Sequence, residues 1–210
     1  DRFEPVFFLP DGCEQYFPDG GFGRIAVAEW KKEGLRRFVR PVIQPLLPRS
    51  DLALWHTTHQ AAKYLPLDSR IPVLLTIHDL NFLHDDASHV AQSPLSGRHR
   101  RKLAAVQRLV DRACAIATDS AYVADEVRAF LKVGDRPVHV VPLGLAEPPQ
   151  TSVTRPSFLP PGPFFLTVGN CLPHKNFHVL VGLIAAMPDA RLVIAGKKAT
   201  PYGASIEQEI

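Results

Sequence analysis

The chain has 210 residues, a mass of 23.2 kDa, 46% hydrophobic and 21% charged residues, and a net charge of +3. This composition excludes disorder as the main state, and three scattered cysteines (Cys13, Cys114, Cys171) exclude a disulfide scaffold and fit a reducing compartment. No apolar run reaches the roughly 20 residues of a membrane span, no signal-peptide pattern follows Asp1, and the small net charge does not imply nucleic acid.

In chain order, the aromatic and β-branched run Phe3–Leu9 predicts a buried strand, closed by a turn at Pro10-Asp11-Gly12. Asp19–Gly23 reads as a loop. Leu35, Phe38, Val39, Val42, Ile43, Leu46 and Leu47 follow helical spacing, and Pro41 and Pro45 break it into a kinked helix or two short ones. Leu52–Trp55 predicts a strand running into His56, and Pro72–Ile77 a strand running into His78-Asp79. A helix is expected over Gly97–Arg112, a strand over Cys114–Thr118, a helix from an N-cap at Ser120 to Leu131, and a strand over Val138–Val141.

Six of the twenty prolines fall between Glu147 and Phe164, which reads as a linker. Beyond it the pattern restarts: strand Phe164–Val168, helix Phe177–Met187, strand Leu192–Ala195, and Ser205–Ile210 as the start of a helix. The chain begins without Met and ends inside that helix, so it reads as an internal part of a longer protein. Continuous apolar strands alternating with helices predict an α/β fold with parallel sheets covered on both faces.

Ligands of such sheets bind beyond the carboxyl ends of the strands. Those ends carry His56, His78-Asp79, Asp119-Ser120, Gly144, Gly169-Asn170 and Gly196. The sharpest motif is Val168-Gly169-Asn170-Cys171-Leu172-Pro173-His174-Lys175-Asn176 ahead of a helix. A glycine turn, a lysine and a helix N-terminus together suit an anion. The motif lacks the second glycine and the Ser/Thr of a phosphate-binding Walker loop. An ordinary strand–helix turn with a solvated lysine has the same spacing.

This stretch, with Leu192–Gly196 and, upstream, Thr76–Leu80, Thr118–Ser120 and Val141–Leu145, resembles the retaining GT-B glycosyltransferases of family four, from about Ser50 to Gly196. The resemblance implies a GT-B type fold of two Rossmann-like parallel-sheet domains, both incomplete in this chain. Residues 1–147 would be the acceptor-side domain, 148–163 the linker, and 164–210 the start of the nucleotide-sugar domain. It implies transfer of a hexose with retention, mannosyltransferase-like, from a UDP- or GDP-linked donor to a glycan or lipid-linked acceptor. No metal or other cofactor is expected. Surface polysaccharide or lipopolysaccharide synthesis is the implied setting, in the cytoplasm or at the inner face of the membrane.

Residue by residue, Lys175 matches the lysine that holds the donor diphosphate, with Gly169, Asn170, Asn176 and Gly196 around it. Asn170 stands where many members carry arginine, which removes a charge. His78 matches the first-domain histidine near the transferred sugar, and Asp79 is a candidate base or a cap. The first strand with its glycine-rich loop is not identifiable, and the later glutamate pair would lie beyond Ile210.

His56 and His59 lack the glutamate of a zinc helix motif. Together with Asp119 and Ser120 they are candidates for the acceptor pocket. Arg101, Arg108 and Arg112 fall on one side of the predicted helix, opposite Leu103, Val106 and Val110; they form either a solvated face or a contact with anionic lipid or acceptor. A non-catalytic nucleotide-sugar or phosphosugar binding module is the alternative class. A nicotinamide oxidoreductase is disfavoured because no Gly-x-Gly-x-x-Gly follows a strand.

Overall fold

A computed structural model describes residues 4–10, 23–27, 41–42, 44–46, 49–84, 96–145 and 154–210. They fall into two compact units. One takes described residues within Asp1–Leu80 and Leu95–Leu143, the other those within Asn81–Pro94 and Gly144–Ile210. Asp11 and Gly12 of the expected turn, residues 19–22 of the expected loop, most of the helix over Leu35–Leu47, and Cys13 lie outside the described residues, while Pro10 ends the first strand.

The first unit is built on a four-stranded parallel sheet of β3 (Trp55–Thr57), β4 (Val73–Ile77), β5 (Ala115–Thr118) and β6 (Val138–Val140), in that order. Alternation along β4 buries Val73, Leu75 and Ile77 completely, while Leu74 and Thr76 on the other face stay half-buried. Crossover helix α1 (Gly97–Val110) lies between β4 and β5 in the chain, and α2 (Ala121–Phe130) between β5 and β6. Helix α1 buries His99, Val106, Leu109 and Val110. Helix α2 buries Val123, Ala124, Glu126 and Val127. Its start is set by Ser120, whose hydroxyl accepts a hydrogen bond from the Val123 amide at 3.3 Å, the cap expected there.

Two strands depart from the expectation. β3 begins at Trp55, because the Trp55 amide donates to the Pro72 carbonyl and pairing starts there; the apolar run Leu52–Leu54 precedes the strand. His56 is therefore inside β3, not past its end. Next, β1 (Val6–Pro10) pairs in parallel with β2 (Gly23–Val27), a strand not anticipated. Gly23, the last residue of the expected loop, opens β2, and the rings of Phe8 and Trp55 meet at 4.5 Å, tilted by 49°.

The second unit holds the parallel pair β7 (Phe165–Val168) and β8 (Leu192–Ala195), with α3 (Phe177–Ala185) and α4 (Pro201–Glu209). Its small core is Cys171, Phe177 and Ile206, with Leu180, Val181, Ile194 and Tyr202 packed against it. Helix α4 starts at Pro201, earlier than expected, because Thr200 caps it by accepting from the Gly203 amide at 2.8 Å. The described end of the proline-rich stretch is fastened to this unit. The Arg155 guanidinium lies 5.0 Å over the Phe164 ring and donates to the carbonyls of Pro160 and Gly162, and Arg191 donates to that of Pro161. Among the described residues no helix is long and apolar enough to cross a membrane.

Candidate functional site

The parallel register aligns Ile77 with Thr118. The next residue of each chain segment, His78 and Asp119, therefore emerges at the same edge of the sheet. Their side chains meet, with His78 Nδ1 2.8 Å from Asp119 Oδ2. The other ring nitrogen, Nε2, lies 2.8 Å from the Thr58 carbonyl, one residue past the end of β3. Gln60, 8% exposed, ties the backbone of the same turn: its Oε1 accepts from the His78 amide and its Nε2 donates to the Asp79 carbonyl. The hydrogen bond to Asp119 raises the His78 pKa above 6.5, desolvation opposes it, and the Thr58 carbonyl and the charges of Asp119 and Asp79 add to it.

The two other histidines are engaged separately. His56 Nε2 bonds Thr76 Oγ1 at 2.9 Å, and its pKa is lowered first by burial and then by the charge of His78. His59 Nδ1 accepts from the Ala61 amide, and its ring stands 5.6 Å from that of His78 at 46°. His59, His78, Asp79 and Asp119 thus lie around the carboxyl ends of β3, β4 and β5, and His56 stands inside β3. Ser120 stands beside them, with its hydroxyl on the helix cap. Thr58 and Gln60 were not foreseen, because one acts through a backbone carbonyl and the other through an amide with no characteristic spacing. The only hint was their place in the run His56-Thr57-Thr58-His59-Gln60.

The basic set on α1 needs correcting. The helix ends at Val110, so Arg112 is off its face, and its guanidinium donates to the carbonyls of Asp68 and Ile71 at 3.0 and 3.3 Å. Arg101 and Arg108 are exposed on the helix.

In the second unit, Gly169, Asn170, Lys175, Asn176 and Gly196 gather at the carboxyl ends of β7 and β8. The ladder continues past the strands through Gly169 amide to Ala195 carbonyl and Cys171 amide to Lys197 carbonyl, at 2.8 and 2.9 Å. Asn170 Oδ1 accepts from the Lys197 amide at 3.3 Å, so this side chain closes the turn between the strand ends. Lys175 ends a short 3-10 turn, Pro173–Lys175, and folds its stem back over Gly169. A β-carbon on that glycine would lie 3.8 Å from Lys175 Cε and 3.6 Å from Phe177 Cζ. Lys175 is exposed. Asn176 takes the left-handed conformation, φ 52° and ψ 35°, and its side chain does not cap α3. The His178 amide of α3 donates to Tyr202 Oη at 3.1 Å. A separate cavity of about 660 Å³ lies in this unit, lined by Val181, Ile184, Leu192, Ile194 and Ile206 among others; Gly196 reaches it and Lys175 does not.

A family model described as Glycosyltransferase Family 4 matches residues 13–146, well over half the chain. The chain belongs to Glycosyltransferase Family 4. The family's chemistry is the transfer of a glycosyl group from a donor to an acceptor, and the parallel sheet of the first unit, with His78 and Asp119 at its edge, lies inside the matched stretch. No curated protein matches the chain.

Proposed function

We propose that this family-four chain serves the transfer of a hexose, with retention, from a UDP- or GDP-linked sugar to a glycan or lipid-linked acceptor. The second unit takes the donor diphosphate through Lys175. The observation that carries the reading is the fold of Lys175 over Gly169 at the start of α3, where the chain turns on Gly169 and Asn176. A departing nucleoside diphosphate gathers negative charge, so a cation and amide dipoles fixed on its oxygens stabilise the transition state more than a strong base does. Asn170, already bonded to Lys197, shapes the turn and supplies no charge.

On the first unit the groups around His78 form the acceptor-side surface, with His59 and Asp79 as the candidates for contacting sugar hydroxyls. No step is assigned to a metal. Cell-surface polysaccharide synthesis at the cytoplasmic face of a membrane is the setting we favour, with Arg101 and Arg108 as the contact with anionic lipid.

A thermal-shift screen of the protein against UDP, GDP, ADP and their sugars tests the donor reading. One nucleotide class raises the melting temperature, with a stabilisation that grows as the logarithm of its concentration and reaches about 2.7 kcal/mol at a hundredfold excess over Kd. Flat curves for every ligand remove it. A donor that binds but is never turned over favours a non-catalytic binding module instead.

A further inference from the structure

His78 has an acceptor on each side. Asp119 is a carboxylate with 22% of its side chain exposed, and an ionised carboxylate only accepts hydrogen bonds. The Thr58 carbonyl likewise only accepts. A neutral imidazole carries one N–H, so it satisfies one of these two partners and leaves the other facing a ring-nitrogen lone pair at 2.8 Å. Only the doubly protonated ring donates to both.

We infer that His78 stands in the resting protein as an imidazolium that pins the Thr58 carbonyl to Asp119, with Asp119 as the positioning residue that holds the ring in that state. The charged groups around it are consistent with this assignment. Asp119 faces it from the end of β5, and Asp79 is its neighbour in the chain. His56 comes from β3 and His59 from the turn after it, and His59 spends its Nδ1 lone pair on the Ala61 amide. Gln60 fixes the His78 backbone, so the ring turns on its side-chain bonds alone.

The inference refines the transferase reading and rests on it only where the reaction is concerned. A ring with both nitrogens engaged is not a proton acceptor; it presents a fixed positive charge and its C–H edge. The tie is also pH-dependent. Because the pKa in the folded chain is raised above 6.5, the tie forms as pH falls through the raised midpoint and is lost as pH rises through it.

The test is imidazole ¹⁵N NMR of the uniformly labelled chain without donor, which scores the charge state whether or not the protein is a transferase. At about pH 6, below the ordinary histidine midpoint, both His78 nitrogens are expected at imidazolium shifts, with a titration midpoint above that of a free histidine. Asp119→Asn is expected to lower the midpoint and Asp119→Glu to restore most of it, a pattern a merely structural aspartate does not produce. A neutral single tautomer in the unmodified chain overturns the inference, and so does a midpoint that Asp119→Asn leaves in place. The unmodified spectrum decides even if the variants fail to fold.

Discussion

Gly196 lies directly against the carbonyl of Gly169: a β-carbon built on Gly196 would come 2.0 Å from that oxygen and 2.5 Å from its carbon. Its φ of +155° is also one that side-chain-bearing residues rarely adopt. Neither obstacle is a flexible side-chain end, so the backbone of one strand terminus would have to move. Gly196→Ala is expected to destabilise the second unit by about 1–3 kcal/mol. Faster hydrogen exchange at the amides of β7 and β8 is the readout, and unchanged protection there would contradict the packing described.

Lys175→Ala separates chemistry from stability. The side chain is exposed, with its stem over Gly169, so its removal is expected to leave the melting temperature almost unchanged. Turnover of a sugar donor is expected to fall by about 10²–10³, the usual loss when one electrostatic donor to a developing anion is deleted. A variant that turns over normally with unaltered donor affinity would remove Lys175 from the diphosphate site.

Asn176 is the single non-glycine residue with positive φ among the described residues, and it joins the 3-10 turn to α3. Its value at this position is conformational. Asn176→Gly is expected to be close to neutral, whereas Asn176→Val forces a β-branched residue into the left-handed region at a cost of about 1–2 kcal/mol. Urea midpoints of the two variants, measured side by side, check the ordering; equal midpoints would refute it.

Asp68 should shape the acid limb of stability. It is buried and accepts from Arg70 Nε and Nη2, the Arg70 amide and Gln44 Nε2, while its own carbonyl accepts from Arg112. The Arg70 hydrogen bonds come first among the causes that hold its pKa below 3.8. A depressed carboxylate pKa stabilises the fold fully above the unfolded value, and the contribution is lost as pH falls below it. Asp68→Asn is therefore expected to be less stable near neutrality, with a shallower loss between about pH 5 and pH 2. Parallel urea titrations at several pH values give the slopes; identical slopes would exclude Asp68 as the titrating group.

Much of this fold was legible in the sequence, for a physical reason. The central strands β4 and β5, and β8 in the second unit, are continuous apolar runs, and the apolar run Leu192–Ala195 coincides with β8 residue for residue. Ser120 announced the start of α2, because a capping hydroxyl before an apolar periodic segment has few other uses. β2 escaped notice because Gly23 and Arg24 open a short strand with loop-like residues. β3 starts later than its apolar run suggests, because Leu52–Leu54 is apolar enough to pair but the partner strand begins opposite Trp55.

At the site, His78 and Asp119 were each picked out by their place beyond a strand. Their contact was not, because it depends on register, which hydrophobic pattern alone does not set between parallel strands. Arg112 departs from the expected basic face for a related reason: helical spacing continues in the sequence two residues past the last helical residue, onto a side chain that reaches back to backbone carbonyls.

Cys171 sits in the small core beside Phe177 and Ile206 at 5% exposure, whereas Cys114 is open to solvent. The pair makes an internal stopwatch. An alkylating reagent meets the thiol at 114 at once, but reaches the one at 171 only when the second unit breathes. The lag between the two modifications, read peptide by peptide in a mass spectrometer, measures how often that unit opens and whether a bound nucleotide keeps it shut.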